Sequence, residues 1–311
     1  MRDHVLKELT KMARNDAGIY LITGDLGYVV LDEFRQACPD QYVNAGIAEQ
    51  NMTALAAGMA LEGNMVFTYS IGNFPTLRCM EQIRNDVCYH KANVKILAVG
   101  GGFVYGNQGI THHATEDIAM MRSLPNMQVY VPGDAYEAVE CLKDACGYNG
   151  PCYIRLARNK EENFHTENER MDISRVLRFG EAGKDVTIIT TGAILCEGMK
   201  LCNALREKGY DAGIVSVPRV KPLDVDGIKE TALKAALVVT MEEHQRDAGL
   251  GGACAEVLSS VSERHAVLYR SGLPDTFSGI TGDQQYLREY YGISAKTMLP
   301  IVEKLLREIH R

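Results

Sequence analysis

Short runs of β-branched and other apolar residues alternate with segments of helical period along most of the chain. The runs predict strands at residues 19–23, 65–69, 94–99, 128–131 and 152–156. Apolar residues spaced three or four apart between these runs predict helices at residues 5–14, 48–61, 77–91 and 136–147. Such alternation favours a parallel sheet covered by helices on both faces.

The alternation stops at a polar and aperiodic segment, residues 159–172, and then resumes. Further strands are predicted at residues 186–190, 212–217, 237–240 and 267–269, and further helices at 195–208, 226–233, 251–260 and 294–308. We therefore predict two doubly wound α/β domains with mostly parallel sheets, at residues 1–158 and 183–311, joined by a linker at 159–182. The alternative for the polar segment is a long surface loop within one domain.

Composition and charge exclude some classes of function. The chain has 311 residues, of which 46% are hydrophobic, and a net charge of −7, which argues against a nucleic-acid groove. Neither a secretion signal nor an apolar run long enough to span a bilayer is recognisable. The nine scattered cysteines form no CxxC pair, so we expect reduced thiols in a cytoplasmic protein, with neither a disulfide framework nor a metal site.

One acidic side chain stands out from its surroundings. Glu49 lies near the start of a predicted helix of small and uncharged residues, and the next charge is Glu62. A carboxylate is costly to bury unless it has a partner or stays protonated. Glu49 is therefore either a helix N-terminal acid that interacts with the helix dipole or a buried acid with a chemical role.

Other polar or aromatic residues follow predicted strands, at the edge where parallel sheets bind ligands. Asp25 follows the first strand, and Phe74 and Arg78 follow the second. Phe74 could stack on a flat heterocycle, and Arg78 could stack or pair beside it. The structural alternatives are a turn aspartate and an ordinary core ring.

A glycine-rich segment, residues 99–113, follows the third strand and ends with His112 and His113. Its glycine spacing matches neither a dinucleotide fingerprint nor a Walker loop, which disfavours a nicotinamide site. The histidines are either acid/base groups or solvated surface residues. Arg155 and Arg158 follow the last strand, where they either bind an anionic group or face the acidic linker.

Taken together, the motifs resemble the transketolase-like family, which includes deoxyxylulose-phosphate synthases and the β subunits of 2-oxo acid dehydrogenases. The motifs are GDLG (24–27), GIAEQNM (46–52), GITHH (109–113) and SLPNMQVYVPGD (123–134). VVTMEEH (238–244) and GLGG (249–252) are similar to the C-terminal domain of that family. The resemblance covers nearly the whole chain and implies a pyrimidine-binding domain followed by a C-terminal domain.

The resemblance also implies a cofactor, thiamine diphosphate. Glu49 would be the catalytic acid that hydrogen-bonds the aminopyrimidine ring, and a dry pocket would raise the proton affinity of such a carboxyl group. Phe74 would stack on the same ring, with Tyr69 and Arg78 as neighbours. Asp25 would lie at the edge of the cofactor.

For the substrate, the resemblance implies that His112 contacts the reacting atoms and that Arg2 and Arg158 hold a sugar phosphate. Gln108 would also line this site, where transketolases usually carry an aspartate. Gly100 and Val29 stand where the family has a histidine and a serine of the phosphate site. These departures put a standard sugar-phosphate substrate in doubt.

Family members hold Mg²⁺ and the diphosphate with a GDG motif and a later asparagine, and no GDG occurs here. The resemblance therefore implies the C-terminal subunit of a split transketolase, active only with an N-terminal partner subunit in an α2β2 heterotetramer. Together they would transfer a two-carbon ketol unit from a ketose to an aldose. The alternatives are a 2-oxo acid dehydrogenase β subunit, a deoxyxylulose-phosphate-synthase-like enzyme and a non-catalytic assembly subunit.

Overall fold

The structure is a computed structural model that describes residues 1–158, 161–167 and 169–310. Residues 159, 160 and 168 of the predicted linker lie outside the described residues. The strands, in chain order, are β1 (Ile19–Thr23), β2 (Tyr42–Asn44), β3 (Met65–Ile71), β4 (Val94–Val99), β5 (Gln128–Tyr130), β6 (Cys152–Leu156), β7 (Leu177–Arg178), β8 (Val186–Thr190), β9 (Ala212–Ser216), β10 (Arg219–Lys221), β11 (Leu237–Gln245) and β12 (Val267–Leu273).

Helices cover both sheets. In chain order they are α1 (Arg2–Asn15), α2 (Asp32–Ala37), α3 (Glu49–Leu61), α4 (Met80–Gln82), α5 (Asp117–Ser123), α6 (Ala135–Gly147), α7 (Leu195–Glu207), α8 (Val225–Lys234), α9 (Leu250–Leu258), α10 (Gln284–Tyr290) and α11 (Ala295–Ile309). In the part of the chain that the structure describes, no helix combines the length and the apolar character needed to cross a bilayer.

Seven strands form the first sheet, in the order β10-β5-β6-β4-β3-β1-β2. All neighbouring pairs are parallel except β10, which runs antiparallel to β5. Every residue of the central strands β4 and β6 is buried, as expected for a parallel sheet covered on both faces. The continuous apolar runs that predicted these strands reflect that double burial.

The second sheet has five strands, in the order β12-β11-β8-β9-β7, and only β7 is antiparallel to its neighbour among them. The two mostly parallel sheets confirm the predicted α/β class. Three short strands, β2, β7 and β10, are not predicted from the local pattern. β7 lies inside the segment predicted as linker, and β10 comes from the second half of the chain but joins the first sheet.

The helix predicted at residues 77–91 has an irregular form. A 3₁₀ turn at Leu77–Cys79 and the single α turn α4 lead into a π-helical stretch, Ile83–Cys88. In the wider turn, the Tyr89 amide donates to the carbonyl of Arg84 at 3.0 Å. Apolar periodicity does not distinguish α from π turns, and π turns are frequent near functional sites.

A buried polar cluster ties the linker to the start of α6. Asp134 caps this helix by accepting hydrogen bonds from the amides of Tyr136 and Glu137, and its other oxygen accepts from Nδ1 of His165 at 3.0 Å. Glu137 accepts from the Gly133 amide at 2.6 Å, but its Oε1 has no hydrogen-bond partner among the described residues. Burial raises the pKa of Glu137 to about 7.

This raised pKa makes stability depend on pH. Because the folded chain binds this proton more tightly than the unfolded chain, the stabilisation is complete at low pH and is lost as pH rises through about 7. We predict that Glu137→Gln reduces the fall in melting temperature between pH 5.5 and 8.5 by about 2 °C or more. The control is Glu140→Gln, an acid on the same helix whose partner is Lys143. An equal fall in wild type and Glu137→Gln would contradict the assignment.

Candidate active site

The loops that follow β1, β2, β3, β4 and β6 meet at the carboxyl edge of the first sheet. Because parallel strands end at one edge, residues distant in sequence come together there. The sequence-predicted residues Asp25, Glu49, Phe74, His112 and Arg158 all belong to these loops or to the first residue of α3. The structure therefore brings the candidate groups to one edge.

Glu49 is buried and paired. Its carboxylate is 4% exposed, and Oε2 accepts a hydrogen bond from Nη1 of Arg78 at 2.8 Å. The Arg78 side chain is 47% exposed, and the backbone of Arg78 is held where its carbonyl accepts from Nε2 of Gln50 at 3.1 Å. The arginine offsets the cost of burying the carboxylate, while its own exposure leaves it free to move.

Two rings extend this pair toward the glycine-rich loop. The guanidinium carbon of Arg78 lies 4.5 Å from the ring centre of Phe74, and His112 contacts the same ring edge-on at 5.2 Å. Nδ1 of His112 lies 3.0 Å from Oγ1 of Thr111. Burial, and then the neighbouring His113, lower the pKa of His112, so the imidazole is neutral at pH 7. A neutral imidazole can accept a proton from a substrate hydroxyl group.

Tyr105 lies between His112 and Arg158. Its ring lies 6.3 Å from that of His112, and the guanidinium carbon of Arg158 lies 5.3 Å from its centre. Gly100 has a φ of +97°, and a Cβ added there would lie 2.2 Å from the Tyr105 ring. The tyrosine therefore fills the space that a side chain at position 100 would need.

The remaining predicted residues differ in their access to solvent. Arg2 donates its backbone amide to the Arg158 carbonyl at 3.2 Å, and Nε of Arg2 pairs with Asp3 at 2.8 Å. Gln108 is exposed in a 3₁₀ turn. Tyr69 is only 3% exposed, and burial raises its pKa.

Asp25 lies at the sheet edge that the sequence predicted, in a strained turn with a φ of +56°. Its Oδ1 accepts from Nδ2 of Asn44 at 2.9 Å, and its amide donates to Oδ1 of the same side chain at 3.0 Å. This mutual pairing links the ends of β1 and β2 and positions the turn.

Arg155 does not face a ligand. Its Nε donates to Asp117 Oδ2 at 2.7 Å, and Nη2 donates to the Ala114 carbonyl at 2.7 Å and the Glu243 carbonyl at 3.0 Å. The guanidinium is 5% exposed and satisfied by protein partners. Of the two expected positions, an anion site and a linker-facing surface, the structure shows neither. The residue instead supports the end of the glycine-rich loop.

Sequence reasoning missed Tyr105, Asn44 and Gln50. An aromatic residue among the glycines at 100–109 is a signal that could have identified Tyr105. The other two are ordinary polar residues whose partners are 19 and 28 positions away. Within the described ranges, no group of three or more His, Cys, Asp or Glu side chains is placed to hold a metal ion.

Comparison with known proteins gives matches along most of the chain. The model of the transketolase pyrimidine-binding domain matches residues 1–162, and that of the transketolase C-terminal domain matches residues 176–298. An apulose-4-phosphate transketolase subunit of Phocaeicola vulgatus is 35% identical over 95% of this chain and 95% of its own length. The 1-deoxy-D-xylulose-5-phosphate synthase of Pelotomaculum thermopropionicum is 31% identical over 98% of this chain but only 48% of its own length.

A solved structure is also similar over its full length. It is described as a split gene transketolase, inactive beta4 tetramer, and it has a TM-score of 0.89 at 36% identity, with 98% of each chain covered.

The Arg155–Asp117 pair yields a prediction for stability. Asp117→Asn leaves a buried guanidinium without its carboxylate, which costs about 3–5 kcal/mol in the free energy of unfolding. Urea unfolding of the purified chain measures the loss. Glu116→Gln, at the neighbouring and partly exposed acid, is the control and should change the free energy by less than about 0.5 kcal/mol. Equal stability of the two variants would show that the buried pair does not hold the loop.

Proposed function

Because this chain belongs to the transketolase family, we propose that it is the C-terminal subunit of a thiamine diphosphate-dependent transketolase. The enzyme would transfer a two-carbon ketol unit from a ketose to an aldose or aldose phosphate. The observation that carries the proposal is the position of Glu49 at the ligand-binding edge, a buried carboxylate whose partner Arg78 lies against the ring of Phe74. The proposed domains are 1–158 and 183–311, with a linker at 159–182.

The residues present fit the aminopyrimidine half of the cofactor. A flat ring with a nitrogen acceptor needs a carboxyl group in a dry place and an apolar surface to stack on, and Glu49 and Phe74 supply both. Thiamine diphosphate, when bound, supplies the carbon that takes up the ketol unit. In our proposal Glu49 holds a proton at its carboxylate toward the pyrimidine ring. Asp25, Tyr69 and Arg78 would be the further cofactor-binding residues in this proposal.

His112 and the arginines form the proposed substrate side. His112, with its lowered pKa, would accept or return a proton at a substrate oxygen. Arg158, which lies over Tyr105 and is exposed, would bind a phosphate group through charge-assisted hydrogen bonds. Arg2 and Gln108 would line the same part of the substrate site, although Asp3 already neutralises part of the charge on Arg2.

A partner subunit would complete the site. The exposed apolar side chains Ile47, Leu77 and Ile110 each lie within two positions of a candidate site residue, with 79%, 56% and 43% of their surfaces accessible. Apolar exposure of this kind is typical of a surface that another chain covers. The partner would carry the diphosphate and Mg²⁺, which no residue of this chain is proposed to hold. We propose an α2β2 assembly in the cytoplasm, where the nine free thiols would stay reduced.

The proposed function predicts that turnover requires both a partner subunit and Glu49. This chain alone should show no transketolase turnover, and addition of a partner subunit that contains a GDG motif should restore it. Glu49→Gln in the reconstituted enzyme should lower turnover by about 10²- to 10⁴-fold, because an amide cannot share the proton. Size-exclusion chromatography should show that the variant still assembles.

Glu62→Gln, at the other end of α3, is the matched control for that experiment. Full turnover by the isolated chain would refute the split-subunit proposal. Undiminished turnover of Glu49→Gln would instead indicate a non-catalytic assembly subunit.

The proposed function also predicts how Arg158 affects the binding of a phosphorylated substrate. If Arg158 binds a phosphate group, Arg158→Gln should raise KM for a phosphorylated aldose by about tenfold or more, the cost of one charge-assisted hydrogen bond. KM for the corresponding unphosphorylated aldose should stay within about twofold of the wild type. Steady-state kinetics of the reconstituted enzyme on both aldoses measure the difference. An equal change for both would exclude a phosphate contact at Arg158.

A further inference from the structure

Glu243 is a buried carboxylate from the second half of the chain that faces the glycine-rich loop of the first half. It lies near the end of β11 and is 3% exposed. Its Oε1 accepts a hydrogen bond from the Phe103 amide at 2.5 Å, and its Oε2 accepts from Nε of Arg288 at 2.5 Å. Nε2 of Gln284 lies 2.9 and 3.1 Å from the two oxygens. Both oxygens are therefore held in place.

The loop backbone is shaped to receive this carboxylate. Gly102 has a φ of +64°, and a Cβ added there would lie 2.5 Å from Oε1 of Glu243. Gly102 also pairs with Ala114 in both directions, with N···O distances of 2.7 and 3.1 Å. Since Ala114 is two residues after His112, the contact of Glu243 with Phe103 lies close to the backbone that carries His112.

Ring contacts strengthen the same connection. Phe103 stacks on Tyr291 at 5.4 Å and contacts His113 edge-on at 5.1 Å. Nε2 of His113 donates to the Gly106 carbonyl at 3.1 Å, and that carbonyl also accepts from the Gly282 amide at 3.4 Å. The second half of the chain thus contacts Phe103 and Gly106, which are the two ends of a turn that precedes His112.

Apart from the edge-on ring contacts with Phe74 and Tyr105, few interactions orient the His112 ring. Its only hydrogen-bond partner among the described residues is the adjacent Thr111, so the ring follows the backbone on which both residues sit. On that basis we propose that Glu243 is a positioning residue for His112. The inference rests on the proposed function, in which His112 contacts the substrate. Arg288 and Gln284 hold the carboxylate, the carboxylate holds Phe103, and the Gly102–Ala114 pair carries this constraint to His112.

The residues on either side of Glu243 on β11 have different hydrogen-bond partners. Glu242 caps α9 by accepting from the amides of Leu250 and Gly251 at 2.7 and 2.8 Å. His244 accepts from the Ala119 amide at 3.2 Å. Neither side chain forms a hydrogen bond with residues 100–113 in the described structure, so Glu242 is a matched control for a buried acid that does not touch the loop.

The test uses Glu243→Asp, which keeps the charge for Arg288 but is one methylene too short to reach the Phe103 amide. In the free full-length chain, hydrogen exchange of residues 100–113 should accelerate about tenfold or more. The imidazole resonances of His112 and His113, in a chain labelled at histidine, should shift. Glu242→Asp should change neither. In the reconstituted enzyme, Glu243→Asp should lower kcat/KM by about 10²-fold while cofactor affinity is retained.

The outcomes separate this inference from the proposed function. A folded Glu243→Asp chain with wild-type exchange and histidine resonances would overturn it, even if turnover depends on Glu49. Changes of equal size in Glu242→Asp would overturn it as well, since the effect would then be general. If loop exchange and resonances change as expected but no reconstituted wild-type enzyme turns over, the proposed function fails and the link from Glu243 to the loop stands. Should Glu243→Asp not fold, Gln284→Ala, which keeps the ion pair, is expected to give smaller changes in the same direction, and their absence would overturn the inference.

Discussion

A buried carboxylate needs a partner, and this requirement organises the carboxyl edge of the first sheet. Three acids at this edge or packed against its loops are paired with arginines: Glu49 with Arg78, Asp117 with Arg155, and Glu243 with Arg288. Each pair joins segments that are 29 to 45 residues apart along the chain. The loops that carry the candidate functional groups are held by these pairs.

The three pairs differ in the solvent exposure of the arginine. This exposure distinguishes the two pairs that hold loops in place from the pair that is proposed to take part in ligand binding. The guanidinium groups of Arg155 and Arg288 are 5% and 6% exposed, with further protein partners around them. Arg78 is 47% exposed and can leave its carboxylate without breaking a packed core. Of the three acids, only Glu49 can therefore exchange its partner for a ligand at modest cost, which agrees with the role proposed for it.

The contact between the two halves of the chain adds rigidity where the proposed chemistry needs it. Strand β11 carries three consecutive polar residues that have different contacts. Glu242 caps α9, Glu243 contacts the glycine-rich loop, and His244 contacts α5. Glycines at 100 and 102 let Tyr105 and Glu243 approach the loop closely. In this chain, the fold reaches the loop from its second half.

The sequence by itself determined the α/β class, the central strands and the residues that gather at one edge. Strands β1, β4, β6 and β8 have the predicted bounds because double burial leaves a continuous apolar run in the sequence. Tertiary structure alone decided the rest. The entry of β10 into the first sheet, the satisfaction of Arg155 by Asp117, and the contact of Glu243 with Phe103 across 140 positions leave no local signal. Periodicity records which face of an element is buried, whereas the partner of a buried charge depends on which loops the sheet brings together.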